Sequence, residues 1–284
     1  MSAALKPDPG METDAGRLIE AGGLRWHVRV RGQGPTVLLL HGTGASSHSW
    51  RGLAPLLARQ FTVVVPDLPG HGLTGTPDAP GLSIEGMATG IAALMAALGR
   101  TPQMIIGHSA GAAIGARLCL DGLCAPTRLI AINGALLPFG GWAGQLFSPM
   151  ARLMVTLPGM PRLFAWRAAD RAMVERLLRA TGSKLDAEGV DLYAQLFRQP
   201  GHVAGTLGMM AAWDLPGLAR DLKHLATPLL LIIGKQDRTI RPTEARRLRL
   251  ILPQARILAL SDLGHLAHEE APERVLHAIL EESP

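Results

Sequence analysis

A serine between two glycines, an aspartate and a histidine, in that order, carry the strongest chemical signal in this chain of 284 residues. Gly107-His108-Ser109-Ala110-Gly111 follows an apolar run ending at Ile106 and opens a stretch of small residues that includes Ala112, Ala113 and Gly115. A serine on a sharp strand-to-helix turn presents its hydroxyl at the top of a sheet, and only small neighbours tolerate the strained backbone. The following helix aims its free N–H groups and the positive end of its dipole at the same point. Asp237 comes after the apolar run Leu229 to Ile233, and His265 after the run Ile257 to Leu260. The order suits nucleophilic acyl transfer: His265 takes the Ser109 proton, while Asp237 orients the imidazole and stabilises its protonated form. Asp262, three residues before His265, is the competing acid and reads instead as a loop cap.

An attacking alkoxide generates an oxyanion, which needs donors already in place. The backbone N–H groups of Thr43 and Ala110 are the candidates, with Gly42 as a further one, because glycines at 42 and 44 let the chain approach an oxygen closely. A phosphate loop is the competing reading of His41-Gly42-Thr43-Gly44, but the chain nowhere contains G-x-x-x-x-G-K-[ST]. His265-x-x-His268-Glu269 is not the H-E-x-x-H pattern of a zinc helix, and no cysteine lies nearby, so neither a metal nor another cofactor is expected. Phe139, Trp142 and Trp213 are candidate lining of a substrate pocket together with His108. His108 and His71 otherwise read as groups that stabilise loops beside it.

The elements that must hold these residues alternate. Apolar runs at Leu24–Val30, Thr36–Leu40, Phe61–Pro66, Met104–Ile106, Leu129–Ile132, Leu229–Ile233 and Ile257–Leu260 read as strands, several without polar alternation, as expected for a sheet covered on both faces. Helical spacing predicts helices at Ser47–Arg59, Ile84–Leu98, Ala110–Leu120, Thr243–Ile251 and Glu273–Glu281. The fold class is therefore α/β, a mostly parallel, doubly wound sheet. Residues 1–16 read as a flexible tail, 17–134 and 226–284 as the core, and 135–225 as an inserted helical cap over the ligand-binding edge of the sheet. The cap interval holds eight of the eleven aromatic residues.

Composition narrows the class further. Hydrophobic residues make up 48% and charged ones 18%, which excludes extensive disorder. No uninterrupted apolar stretch is long enough for a membrane span, and the expected compartment is the cytoplasm. Cys119 and Cys124 have neither a metal-ligand nor a disulfide-framework spacing. The net charge of +5 has an address: residues 150–184 carry seven bases against two acids, either a solvated helix face or a guide for an anionic substrate or partner. No basic patch interleaved with stacking aromatics suggests nucleic acid.

Together, the His41 segment, Asp67-Leu68-Pro69-Gly70-His71-Gly72, the serine elbow, Asp237 and Gly264-His265 resemble the α/β-hydrolase superfamily over about residues 20–280. Longer strings resemble more narrowly the magnesium-chelatase accessory proteins of bacteriochlorophyll biosynthesis in purple phototrophic bacteria: HGTGASSHSW from His41, GHSAGAA from Gly107, NGALLPFGG from Asn133, TGS from Thr181, MMAAWD from Met209 and GHLAHEE from Gly264. That likeness implies a role at or near Mg²⁺ insertion into protoporphyrin IX, with chelatase subunits as partners. Without a P-loop the chain is not itself the ATP-driven engine. The expectation is a serine hydrolase acting on a hydrophobic, anionic ester or acyl compound, tetrapyrrole-like in character. A non-catalytic porphyrin- or chelatase-binding scaffold is the alternative from another class. C–C bond hydrolysis and cofactor-free haloperoxidase chemistry are open to the same triad.

Overall fold

The computed structural model describes residues 16–138, 157, 159–167 and 170–281. Eight strands form one sheet: β1 (Arg17–Ala21), β2 (Leu24–Arg31), β3 (Thr36–Leu40), β4 (Thr62–Pro66), β5 (Met104–His108), β6 (Arg128–Ile132), β7 (Leu229–Gly234) and β8 (Arg256–Leu260). Their order is β1-β2-β4-β3-β5-β6-β7-β8, parallel from β4 to β8 and antiparallel where β1 meets β2 and β2 meets β4. Every residue of β3, β4 and β5 is buried, which explains their unbroken apolar sequences.

Alternation within the central strands still divides the core. Leu38 and Leu40 of β3 and Ile105 of β5 join one hydrophobic cluster with α2 (Ile84–Ala97) and α3 (Ala110–Leu120). Val37, Leu39 and Ile106 point the other way, into a cluster with α1 (Leu53–Leu57) and the C-terminal helix Pro272–Glu281. The sheet is thus the middle of three layers, and its C-terminal edge is left for loops.

Two local expectations are corrected. β1 was not expected; it pairs with β2 through Gly22 and Gly23, whose φ values of 58° and 75° suit a tight hairpin that L side chains resist. The single helix expected over Ser47–Arg59 is a 3₁₀ turn, Ser47–Trp50, followed by α1. Gly52 lies at the break, where a Cβ would stand 2.9 Å from the Pro272 ring.

Between β6 and β7 the described residues form α4 (Met160–Arg167), α5 (Arg171–Ala180), α6 (Ala187–Phe197), α7 (Pro200–Ala212) and α8 (Leu215–Asp221). Leu215 and Leu218 of α8 join the sheet-facing cluster, and Arg117 of α3 donates to Asp221 at 2.7 Å. The other four helices carry the insertion over the C-terminal edge of the sheet. Two backbone-to-backbone approaches fasten it there: a Cβ on Gly205 would stand 2.0 Å from the Gly70 carbonyl oxygen, and one on Gly182 would stand 1.9 Å from that of Gln236. Among the described residues α9 (Thr243–Ile251) follows β7, and α10 (Ala267–Glu270) and α11 (Pro272–Glu281) follow β8.

Candidate functional site

β5 ends at His108, and the next residue turns sharply: Ser109 has φ 50° and ψ −115°, a conformation that costs roughly 1–3 kcal/mol. The surroundings enforce it. A Cβ on Gly107 would lie 2.4 Å from the Ala112 nitrogen, and one on Gly111 would lie 2.1 Å from the Leu40 carbonyl oxygen, so both flanking positions accept only glycine. Ser109 is half-buried, and Ala110 opens α3. At that position a backbone N–H has no acceptor within its own helix.

Asp237 lies buried just beyond β7. Its Oδ1 accepts from the backbone N–H groups of Thr239 (2.7 Å) and Ile240 (2.9 Å), and its Oδ2 accepts from His265 Nδ1 at 2.8 Å. This arrangement puts the imidazole proton on Nδ1 and leaves Nε2 as the basic nitrogen. His108 donates Nε2–H to the His265 carbonyl at 2.9 Å, with the two rings 4.7 Å apart, so the serine turn and the histidine loop are tied together. Asp262, by contrast, is exposed and paired with Arg274 at 2.8 Å. The structure therefore brings Asp237, and not Asp262, to His265.

Asn133 is a site residue whose role the sequence left unread. It adopts φ 45° at the end of β6, donates Nδ2–H to the carbonyls of Gly264 (2.9 Å) and His265 (2.8 Å), and accepts from the Gly234 N–H at 2.8 Å. One side chain thus fixes the loops that carry the histidine and the aspartate. Asparagine tolerates positive φ better than most L residues, which is the one local signal it offered.

The Gly42–Gly44 segment lies against the serine turn: a Cβ on Gly42 would stand 3.1 Å from the Ser109 Cβ. Thr43 is exposed, with its hydroxyl 3.6 Å from the Met209 sulfur of α7. From the same helix His202 donates to the Gly44 carbonyl at 3.1 Å and accepts from the Gly72 N–H at 3.1 Å. Helix α7 therefore helps to hold the candidate oxyanion loop. Beneath it, the buried Asp67 carboxylate takes bonds from His27 (2.9 Å), the Ser47 N–H (2.7 Å) and the Leu73 N–H (3.0 Å). Burial alone would raise the pKa of Asp67, but these donors outweigh it and hold the carboxyl well below its usual range.

Glu269, in α10, is the second buried hub. Its carboxylate accepts from Ser49 (2.7 Å), Tyr193 (2.8 Å) and Arg51 (2.8 Å), linking the histidine loop to cap helix α6. Burial pushes this carboxyl up to about 7, against the pull of those same donors. Among the remaining predicted residues, Trp213 is buried in the cluster that holds Leu136, Leu137 and Met209. Phe139 and Trp142 lie outside the described residues. Of the cap bases, Arg171 and Arg179 pair with Glu175, Arg171 also with Asp191, and Arg176 with Asp170 at 3.8 Å. These three face carboxylates on the cap surface and do not line the serine turn.

Histidines surround the site, and their charge state gives a testable pH dependence. Burial lowers His41, His71, His108 and His268 from the usual imidazole value, and takes His48 to about 3 and His202 to about 4. In the unfolded chain these rings protonate near 6.5. Below that pH the unfolded state binds more protons, so stability is lost as the pH falls from 6.5 towards 4, at up to about 1.4 kcal/mol per unit for each ring. Glu269 acts in the opposite sense between about 4.5 and 7, but it is one group against six. Acid unfolding followed by circular dichroism is expected to have its midpoint above pH 4. A chain still fully folded at pH 4 would show that these rings accept protons in place.

Among the described residues no group of three or more His, Cys, Asp and Glu side chains is placed to hold a metal ion. Cys119 and Cys124 are free thiols, the first pushed up to about 11 by burial. No helix among the described residues is long and apolar enough to cross a membrane.

The sequence profile of the alpha/beta hydrolase family matches residues 37–278, from β3, which leads into the Gly42 loop, to α11. The chain belongs to the alpha/beta hydrolase family. A relative from Rhodobacter capsulatus, described as a magnesium-chelatase 30 kDa subunit, is 40% identical over 92% of this chain and 91% of its own length. The pimeloyl-[acyl-carrier protein] methyl ester esterase of Methylococcus capsulatus is 28% identical over 90% of this chain and 98% of its own. Among solved structures, an alpha/beta hydrolase fold protein from Burkholderia ambifaria superposes with a TM-score of 0.78 at 25% identity, covering 96% of this chain and 99% of that one. The family membership accounts for the mostly parallel eight-stranded sheet.

Proposed function

We propose that this chain is a serine hydrolase of hydrophobic acyl esters that works beside a magnesium chelatase. The observation that carries the catalytic part is the Asp237–His265 bond behind a strained serine turn. Ser109 attacks the ester carbonyl while His265 Nε2 takes its proton. The oxyanion is met by the N–H groups of Ala110 and Thr43, His265 returns the proton to the leaving alkoxide, and a water activated by the same nitrogen releases the acid. The nucleophile also selects the bond. A serine that opened an epoxide would be left as an ether with no hydrolytic exit, whereas an acyl-serine hydrolyses. Carbonyl substrates are therefore favoured over the ring opening named for some structural neighbours. The chelatase context rests on the Rhodobacter relative's description.

Labelling by a fluorophosphonate probe tests the catalytic reading: folded protein should react covalently at Ser109, and denatured protein should not. Absence of labelling in folded protein at neutral pH counts against it. Asn133 supplies a second check as a positioning residue. Asn133→Ala frees both loops, and about 10²-fold is expected to be lost from kcat with KM nearly unchanged, as for an ångström-scale misplacement of a catalytic group. Asn133→Asp, which keeps the acceptor but not the donors, should not restore the rate.

The chelatase description also favours a second reading, in which the fold holds chelatase subunits or porphyrin without hydrolysis. Pigment analysis separates the two. If a deletion strain accumulates protoporphyrin IX and a Ser109→Ala strain does not, the scaffold reading stands.

A further inference from the structure

Helix α4 is turned inside out for a surface helix. Ala165 is its one residue buried among those described, and it packs with Val203 and Leu207 of α7. Leu163, Phe164 and Trp166 face solvent, the last 68% exposed. Leu157 before the helix and Leu177 on α5 extend the exposure, so five of the nine large apolar side chains exposed among the described residues fall between 157 and 177. Packing thus uses the smallest apolar side chain of α4 and leaves the largest in water, which marks an interaction site.

The charge of the same stretch says what kind. Asp170 and Glu175, the acids of the 150–184 segment, are engaged by Arg171, Arg176 and Arg179. Arg162 and Arg167, exposed on the same helix as Trp166, have no carboxylate partner among the described residues. Tryptophan, phenylalanine and leucine interleaved with arginine is the composition of a helix lying in a bilayer interface, its aromatic rings at headgroup depth and its guanidinium groups on lipid phosphates.

We propose that α4 docks the protein on the surface of an anionic lipid bilayer. α4 rests on α7, whose His202 and Met209 touch the Gly42–Gly44 loop, so docking would place the cap side of the candidate site next to the membrane. The proposal goes beyond hydrolysis and does not depend on Ser109.

Sedimentation of the full-length protein with sucrose-loaded vesicles tests it. The wild type should pellet with phosphatidylglycerol vesicles at low salt, and far less with phosphatidylcholine. Arg162→Gln with Arg167→Gln should weaken partitioning roughly 30-fold, at the ~1 kcal/mol contributed per basic residue near such a surface. Leu163→Ser with Trp166→Ser should weaken it by more than about tenfold. Both pairs are exposed, so thermal melting is expected to match the wild type. Ser109→Ala should pellet like the wild type, which separates this proposal from the hydrolytic one. A wild type that stays in the supernatant with phosphatidylglycerol, or variants that pellet like it, overturns the proposal. So does a wild type that ignores vesicles but captures chelatase subunits through these residues.

Discussion

Ser109→Ala is expected to lower kcat for an acyl ester by about 10⁶-fold, the scale at which removal of a serine nucleophile disables a triad as a unit. The scaffold of the site should survive the change. Gly107 and Gly111 are held by backbone contacts with Ala112 and Leu40 that do not involve the Ser109 hydroxyl, and the Asp237–His265 bond lies on other loops. Stability should therefore shift by less than about 1 kcal/mol, within the range of an uncomplicated substitution. The Ala110 and Thr43 N–H groups proposed as oxyanion donors are unaltered, so a residual rate about 10³-fold above that in water is expected from oxyanion stabilisation and binding alone. Burst kinetics with a chromogenic ester check both parts: the wild type should show an acyl-enzyme burst and the variant none. A loss of less than tenfold in a folded variant would remove Ser109 from the mechanism and leave the scaffold reading.

The legibility of this molecule follows the range over which each signal acts. Strands β3 to β7 were readable because burial on both faces removes polar alternation, a property of five or six consecutive residues. β1 was not, since its RLIEA is mostly exposed and takes its conformation from pairing with β2. The serine elbow was legible because both of its glycine constraints lie within two residues of Ser109. Asp237 and His265 were legible by chain order and by the strands before them. Asn133, His202 and Glu269 were not assigned roles, because their partners lie between 76 and 220 residues away in sequence. The basic segment was counted correctly but only half explained: the i,i+4 pairs of Glu175 neutralise part of it locally, whereas the exposure of Trp166 beside two unmatched arginines is a tertiary fact.

Asp237→Asn is expected to cost about 10⁴ in kcat while leaving the fold in place. The reason lies in which atoms are already spoken for. Oδ1 of Asp237 accepts from the N–H groups of Thr239 and Ile240, so an asparagine there keeps its carbonyl oxygen on those donors and turns its NH₂ towards His265. That NH₂ donates, and at 2.8 Å it requires a lone pair on His265 Nδ1, which moves the imidazole proton to Nε2. An Nε2 that already carries a proton cannot take one from Ser109. Raising the pH restores part of the rate only where hydroxide deprotonates the serine without help, so the variant's rate should climb with pH where the wild type's is flat. Asp262→Asn is the matched control: its exposed partnership with Arg274 is remote from the imidazole, and its kcat should stay within twofold or so of the wild type, the size of an ordinary surface change. The reverse outcome, an active Asp237→Asn beside an inactive Asp262→Asn, would hand the acid's role to Asp262 and require the His265 loop to rearrange before chemistry.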